Sequence, residues 1–239
     1  MRRVVFNQAL AAGHAAKLDQ SQQHYLFDVL RMRPGQMFVA IAPQGIAFIA
    51  ALEPRSEGTC TILELAGEAG REPELAVDLF VPLLKGDKLD LVVQKSVELG
   101  VSQINLFSAE RSVVKPSGNT EKKLTRLQKI ANDATQQCGR HKVPLVHGIF
   151  NLADVALKRG VFAWEQETRL SLADYLQQHP PSGRLALLTG PEGGLTPGEA
   201  LILLESGWKF VSLGPRILRA ETAALTVLAC TMFACGEMG

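Results

Sequence analysis

Two glycine-rich stretches near the C-terminus hold the residues best suited to chemistry: Leu187 to Glu199, LLTGPEGGLTPGE, and Leu213 to Leu225, LGPRILRAETAAL. Each follows a short apolar run that reads as a buried strand and precedes a segment of helical periodicity, so both turns are expected where strands hand over to helices. In open α/β sheets that edge is where ligands bind. Neither stretch carries the dinucleotide fingerprint GxGxxG or the P-loop GxxxxGK[ST], and Glu192 stands where a phosphate cradle would use lysine or bare amides. A ligand held without a phosphate is expected.

The elements that would position these turns follow from periodicity and punctuation. From Leu75 onward strands (Val77–Leu84, Ile104–Ser108, Val161–Trp164, Leu185–Thr189, Phe210–Leu213) alternate with helices (Lys88–Leu99, Glu121–Gln137, Leu172–Gln178, Pro197–Ser206, Ala220–Ala234), the pattern of a parallel sheet flanked by helices. Thr196 followed by Pro197 and Glu199 reads as a capping box. Before them, Val4–Phe6, Met37–Ala42, Ile46–Leu52 and Thr59–Leu65 read as strands of a small β-rich unit with one helix between Asp19 and Met32. Gly67 to Glu74 is the expected linker.

At 239 residues, 46% hydrophobic and 21% charged, the chain has the composition of a folded globular protein. No segment approaches the roughly 18 uncharged apolar residues of a membrane span, and a cytoplasmic location is expected. Cys60, Cys138, Cys230 and Cys235 have no metal-ligand spacing and read as reduced, mostly core thiols, while the five histidines are scattered. No metal site is expected. Net charge is only +1, yet residues 111–142 hold eight basic against two acidic residues and residues 1–33 hold five against two. Local basic faces on a neutral protein suit a phosphate backbone, although Lys122 to Lys129 reads equally well as a solvated helix face.

Gly190-Pro191-Glu192-Gly193-Gly194 together with Leu213 to Ala223, LGPRILRAETA, resembles the signature of the bacterial 16S rRNA (uracil-N3)-methyltransferases of the SPOUT superfamily. His24 to Arg33 (HYLFDVLRMR), Gln94 to Gly100 (QKSVELG), Glu110 to Lys115 (ERSVVK) and Gln136 to Arg140 (QQCGR) fit it too, so the resemblance spans nearly the whole chain. It implies an α/β fold: a PUA-like β-barrel RNA-binding domain over residues 1–70, then a SPOUT domain over 75–239 whose parallel sheet, flanked by helices, is tied in a trefoil knot. It also implies S-adenosylmethionine as methyl donor, a homodimer, and uridine 1498 of 16S ribosomal RNA, met within the assembled small subunit, as substrate.

By that resemblance Leu188, Ile217 and Leu218 would wall the adenine, and Thr189, Gly190, Gly194, Leu213 and Gly214 would give backbone contacts, with Thr222 and Ala223 also at the donor. Uridine N3 is a poor nucleophile until its proton leaves, so a site must take that proton and stabilise charge on O2 and O4. Arg219 is expected to stabilise the oxyanion and Glu221 to orient or deprotonate N3, although an acidic residue in a first helical turn is favoured by the macrodipole alone. Arg2, Arg3, Arg31, Arg33, Arg111, Lys115, Arg140 and Lys142 are the candidate RNA contacts. Lys95 and Glu98 read as an i,i+3 pair. The alternatives are ribose 2′-O methylation on the same fold and an RNA-binding ribosome-assembly factor without catalysis; a nicotinamide enzyme lacks its glycine fingerprint.

Overall fold

The computed structural model describes residues 1–67, 72–115 and 119–238. The chain divides into two units: Met1–Glu72 with Thr135–Val143, and Pro73–Ala134 with Pro144–Gly239. Part of the expected linker, residues 68–71, lies outside the described residues.

In the first unit β1 (Arg3–Val5), β2 (Ala15–Lys17), β3 (Met37–Ile41), β4 (Ala47–Leu52) and β5 (Thr59–Leu65) form one sheet in the order β1-β3-β4-β5-β2, with β1 parallel to β3 and the other pairs antiparallel. Among the described residues no ladder joins β2 back to β1, so the expected barrel is an open, half-barrel sheet. Strand β2 was not expected: three residues, AAK, are too few to show alternation. Residues of β3 alternate between two buried clusters, Phe38 and Ala40 on one face and Val39 and Ile41 on the other. The expected helix starts as α1 (Gln20–Gln23), capped reciprocally by Asp19 and Gln22, and then widens into a π-helical stretch, His24–Val29. Arg31 follows in the left-handed region, at φ 51°.

The second unit is a six-stranded, wholly parallel sheet: β6 (Ala76–Pro82), β7 (Gln103–Ser108), β8 (Leu145–Asn151), β9 (Gly160–Ala163), β10 (Arg184–Thr189) and β11 (Lys209–Val211), in the order β11-β9-β10-β6-β7-β8. Five of these strands match sequence expectations. The sixth, β8, is an edge strand whose sequence LVHGIFN has one buried residue, so no apolar run marks it. Helices α2 (Lys88–Glu98), α3 (Thr120–Cys138), α5 (Leu172–Gln178), α6 (Pro197–Glu205) and α7 (Ala220–Ala234) fall where expected, and the short α4 (Leu152–Ala156) is additional. The capping box forms: Thr196 Oγ1 accepts from the Glu199 amide and Glu199 Oε2 from the Thr196 amide. Glu199 Oε1 also accepts from the Glu110 amide at 2.7 Å, fixing the 110–115 segment to the start of α6.

Side chains of β10 alternate across the sheet. Ala186 and Leu188 join Phe80, Phe107, Phe162, Trp208 and Phe210 in one core cluster, and α7 packs against α2, β6 and β10. Because β11 is the outermost strand, the chain must return from the edge of the sheet to its centre to place α7. Among the described residues no helix is long and apolar enough to cross a membrane. Of the cysteines, all free, only Cys60 is buried and Cys230 is exposed, which corrects the expectation of mostly core thiols. Burial, with Glu53 nearby, pushes the Cys60 thiol up to about 11.

Candidate functional site

The carboxyl ends of β6, β10, β9 and β11, neighbours along one edge of the sheet, feed four chain segments into a cleft of about 530 Å³. Its lining comprises Lys88 at the start of α2, Ala163–Glu165 after β9, Gly190–Gly194 after β10, and Ser212–Ala220 with Ala223 after β11. Parallel strands place all their carboxyl ends on one side, which brings together turns that lie 20 to 130 residues apart in the chain.

Two glycines shape the walls. Gly194 has φ +67°, and a Cβ there would lie 2.7 Å from Glu165 Oε1; Gly214 has φ +112°. At Gly193 a Cβ would come 3.0 Å from the Arg111 carbonyl, so the 110–115 segment abuts the same loop. Ile217, 85% exposed, and Leu218 present apolar surface beside Pro191 and Pro215. Trp164 contributes an aromatic edge, held at 5.0 Å from Phe210 and 6.3 Å from Phe162 between ring centroids. Its Nε1 is buried without a partner, as is Thr189 Oγ1 beneath the Gly190 turn.

The two expected catalytic residues sit differently. Arg219 is the N-cap of α7, exposed on the cleft lining. Glu221 lies in the first turn of α7 with its side chain 12% exposed, and its Oε2 is 3.3 Å from Lys88 Nζ. The same ammonium lies 3.6 Å from Glu192 Oε1. The glycine loops themselves are free of lysine, as their sequences require, but the fold imports one from α2.

Gly190, Gly194, Leu213, Gly214, Ile217, Leu218 and Ala223 are thus brought together with Arg219. Leu188 lies outside the lining: its side chain is fully buried in the core cluster, because β10 is a central strand of a parallel sheet covered on both faces and its neighbours Leu187 and Thr189 are buried too. Thr189 is likewise fully buried, and Thr222 is exposed outside the lining. Lys88, Trp164 and Glu165 line the cleft and were not singled out by sequence, and Arg216, within the LGPRILRAETA stretch, lines it without having been given a role. Only the positions of Trp164 and Glu165, directly after a strand, could have signalled them.

The basic candidates also separate. Arg2, Arg31, Arg33, Arg111, Lys115 and Lys142 are exposed, and Arg3 is half-buried. Arg2 donates to the Leu30 carbonyl and Lys115 to the carbonyls of Ala109 and Glu110. Arg140 is a correction: its side chain is 6% exposed and both Nε and Nη2 donate to Glu72 Oε2, so it is committed to holding its own unit together. Lys95 Nζ donates to both oxygens of Glu98, the expected i,i+3 pair.

The family model for the RNA methyltransferase domain matches residues 71–232. The ribosomal RNA small subunit methyltransferase E of Synechocystis is 35% identical over 218 residues, 89% of this chain and 71% of that protein. Its namesake in Bacillus subtilis is 33% identical over 217 residues, 86% of this chain and 84% of that protein. The solved ribosomal RNA small subunit methyltransferase E of Neisseria gonorrhoeae, bound to S-adenosyl methionine, superposes with a TM-score of 0.87 at 31% identity, covering 98% of this chain and 97% of that one. With the glycine turns, the cleft and these matches in agreement, the chain belongs to the ribosomal RNA small subunit methyltransferase E family of RNA methyltransferases.

Proposed function

We propose that the protein methylates N3 of a uridine in 16S ribosomal RNA, uridine 1498, within the assembled small subunit in the cytoplasm. It is an S-adenosylmethionine-dependent ribosomal RNA methyltransferase. The observation that carries the reading is the cleft itself: glycine turns and apolar walls with the carboxylates of Glu165 and Glu192 on its lining, suited to a donor that has an adenosine and a sulfonium but no phosphate.

The residues present fit that donor. Amides and carbonyls of Gly190, Gly194, Leu213 and Gly214 can read the adenine edge, with backbone reach also from Leu188 and Thr189. Ile217, Leu218, Ala223 and Trp164 supply apolar walls, and the orphaned Nε1 of the lining residue Trp164 marks polar capacity left for a ligand. Uridine N3, once its proton has passed to Glu221, bonds to the methyl carbon as the carbon–sulfur bond breaks with its electron pair to sulfur, and neutral S-adenosylhomocysteine leaves. Glu221 accepts the proton, and Arg219, exposed at the mouth, stabilises the negative charge on O2 or O4.

The first unit serves as a PUA-like RNA-binding module through Arg2, Arg3, Arg31, Arg33 and Lys142, and Arg111 and Lys115 add phosphate contacts beside the cleft. The return of α7 from the sheet edge to β6 and β10 supports the trefoil knot, a rare departure from unknotted topology. An apolar groove between α5 and α7 holds Phe233, 71% exposed, and reaches Leu213 and Gly214, which supports a homodimer with the donor loops at its interface.

Mass spectrometry of digested 16S RNA from a deletion strain tests the reaction: 3-methyluridine is lost and returns on complementation. Loss of a 2′-O-methylnucleoside with 3-methyluridine intact would transfer the chain to the ribose class. In single turnover, Arg219→Ala and Glu221→Gln each slow methylation about 100-fold while calorimetric donor affinity stays near wild type. A near wild-type rate in either variant removes that residue from the mechanism.

A further inference from the structure

Lys88 occupies an electrostatically awkward place. It is the first residue of α2, where the helix macrodipole disfavours a cation, and Asp87 before it makes no side-chain cap. Two carboxylates from distant elements compensate: Glu192 of the Gly190 loop at 3.6 Å and Glu221 of α7 at 3.3 Å. The Lys88 side chain is 35% exposed and belongs to the cleft lining, so the ammonium stands between the donor loop and the carboxylate assigned to the acceptor. Glu221 Oε2 is fully buried and makes no hydrogen bond, only this charge contact.

We propose that Lys88 is a positioning residue for methyl transfer: its ammonium, anchored by Glu192, pins Glu221 Oε2 and thereby presents Oε1 to the uridine. The assignment rests on the reading that Glu221 faces uridine N3. Three elements converge on one cation, so a single side chain sets the distance between the loop that holds the donor and the helix that holds the proton acceptor. Reaction geometry is sensitive to displacements of this kind. When the N3 proton reaches Oε1, Glu221 becomes neutral and Glu192 remains as the counter-ion of Lys88, so the ammonium keeps a charged partner throughout.

The test compares wild type, Lys88→Met and Lys88→Arg on purified small subunits, with donor affinity by calorimetry, melting temperature, and crystal structures bound to S-adenosylhomocysteine. Lys88→Met is expected to lower the single-turnover rate about tenfold or more, with the KM for subunits and the donor affinity each within about threefold of wild type. Lys88→Arg, which keeps the charge, should recover most of the rate, and the Glu221 carboxylate should be turned out of position in Lys88→Met alone. A wild-type rate in Lys88→Met, equal slowing in Lys88→Arg, or an unmoved Glu221 would overturn the assignment while leaving N3 methylation in place. Absence of 3-methyluridine with the wild-type protein would overturn both.

Discussion

At the residue scale the cleft depends on backbone conformations that side chains resist. Gly194 is in the left-handed region at φ +67°, where an added methyl would also press on Glu165 Oε1 at 2.7 Å. The glutamate tip can swing aside, so the backbone sets the cost. Gly194→Ala should lose about 1–2 kcal/mol in thermal unfolding and bind S-adenosylmethionine more weakly in calorimetry. Unchanged donor affinity would take this turn out of the donor site. The glycines were legible in sequence because their spacing is dense, whereas Lys88 was not, since its partners lie 104 and 133 positions away.

Among the elements, the ladder between β9 and β10 brings the Trp164 and Gly190 segments side by side, and it has no slack at Gly160. A Cβ there would lie 2.1 Å from the Ala186 carbonyl oxygen, a backbone atom that cannot rotate away. Gly160→Ala should therefore destabilise the second unit by roughly 3 kcal/mol or more, seen as a lowered denaturation midpoint and lost donor binding. A midpoint equal to wild type would mean that the two strands can part without cost. Helix α6 illustrates what local sequence does decide, since the Thr196 capping box forms as its residues require. Edge strand β8 and three-residue β2 illustrate the converse: pairing, rather than pattern, makes them strands.

For the whole molecule, the first unit is discontinuous, and Glu72 joins its two pieces. Burial raises its carboxyl, but the Arg140 guanidinium and the amides of Lys142 and His141 outweigh burial and hold it below the usual 4.5. A lowered folded value means that Glu72 stabilises the fold above pH 4.5 and that this contribution is lost as pH falls through the lowered value. Glu72→Gln should lower the melting temperature at neutral pH, and the gap to wild type should narrow in acid. A gap that is constant from neutral to acid pH would contradict the pairing. Sequence by itself determined the glycine turns, the alternation of strands and helices, the capping box and the family signature, because these follow from local conformational preference and periodicity. Only tertiary structure decided the strand order that gathers four carboxyl ends, the burial of Arg140 on Glu72, the inward turn of Leu188, and the sharing of Lys88 by two carboxylates. Those depend on which distant segments the burial of apolar surface brings into contact, and no local pattern encodes a partner more than 60 residues away.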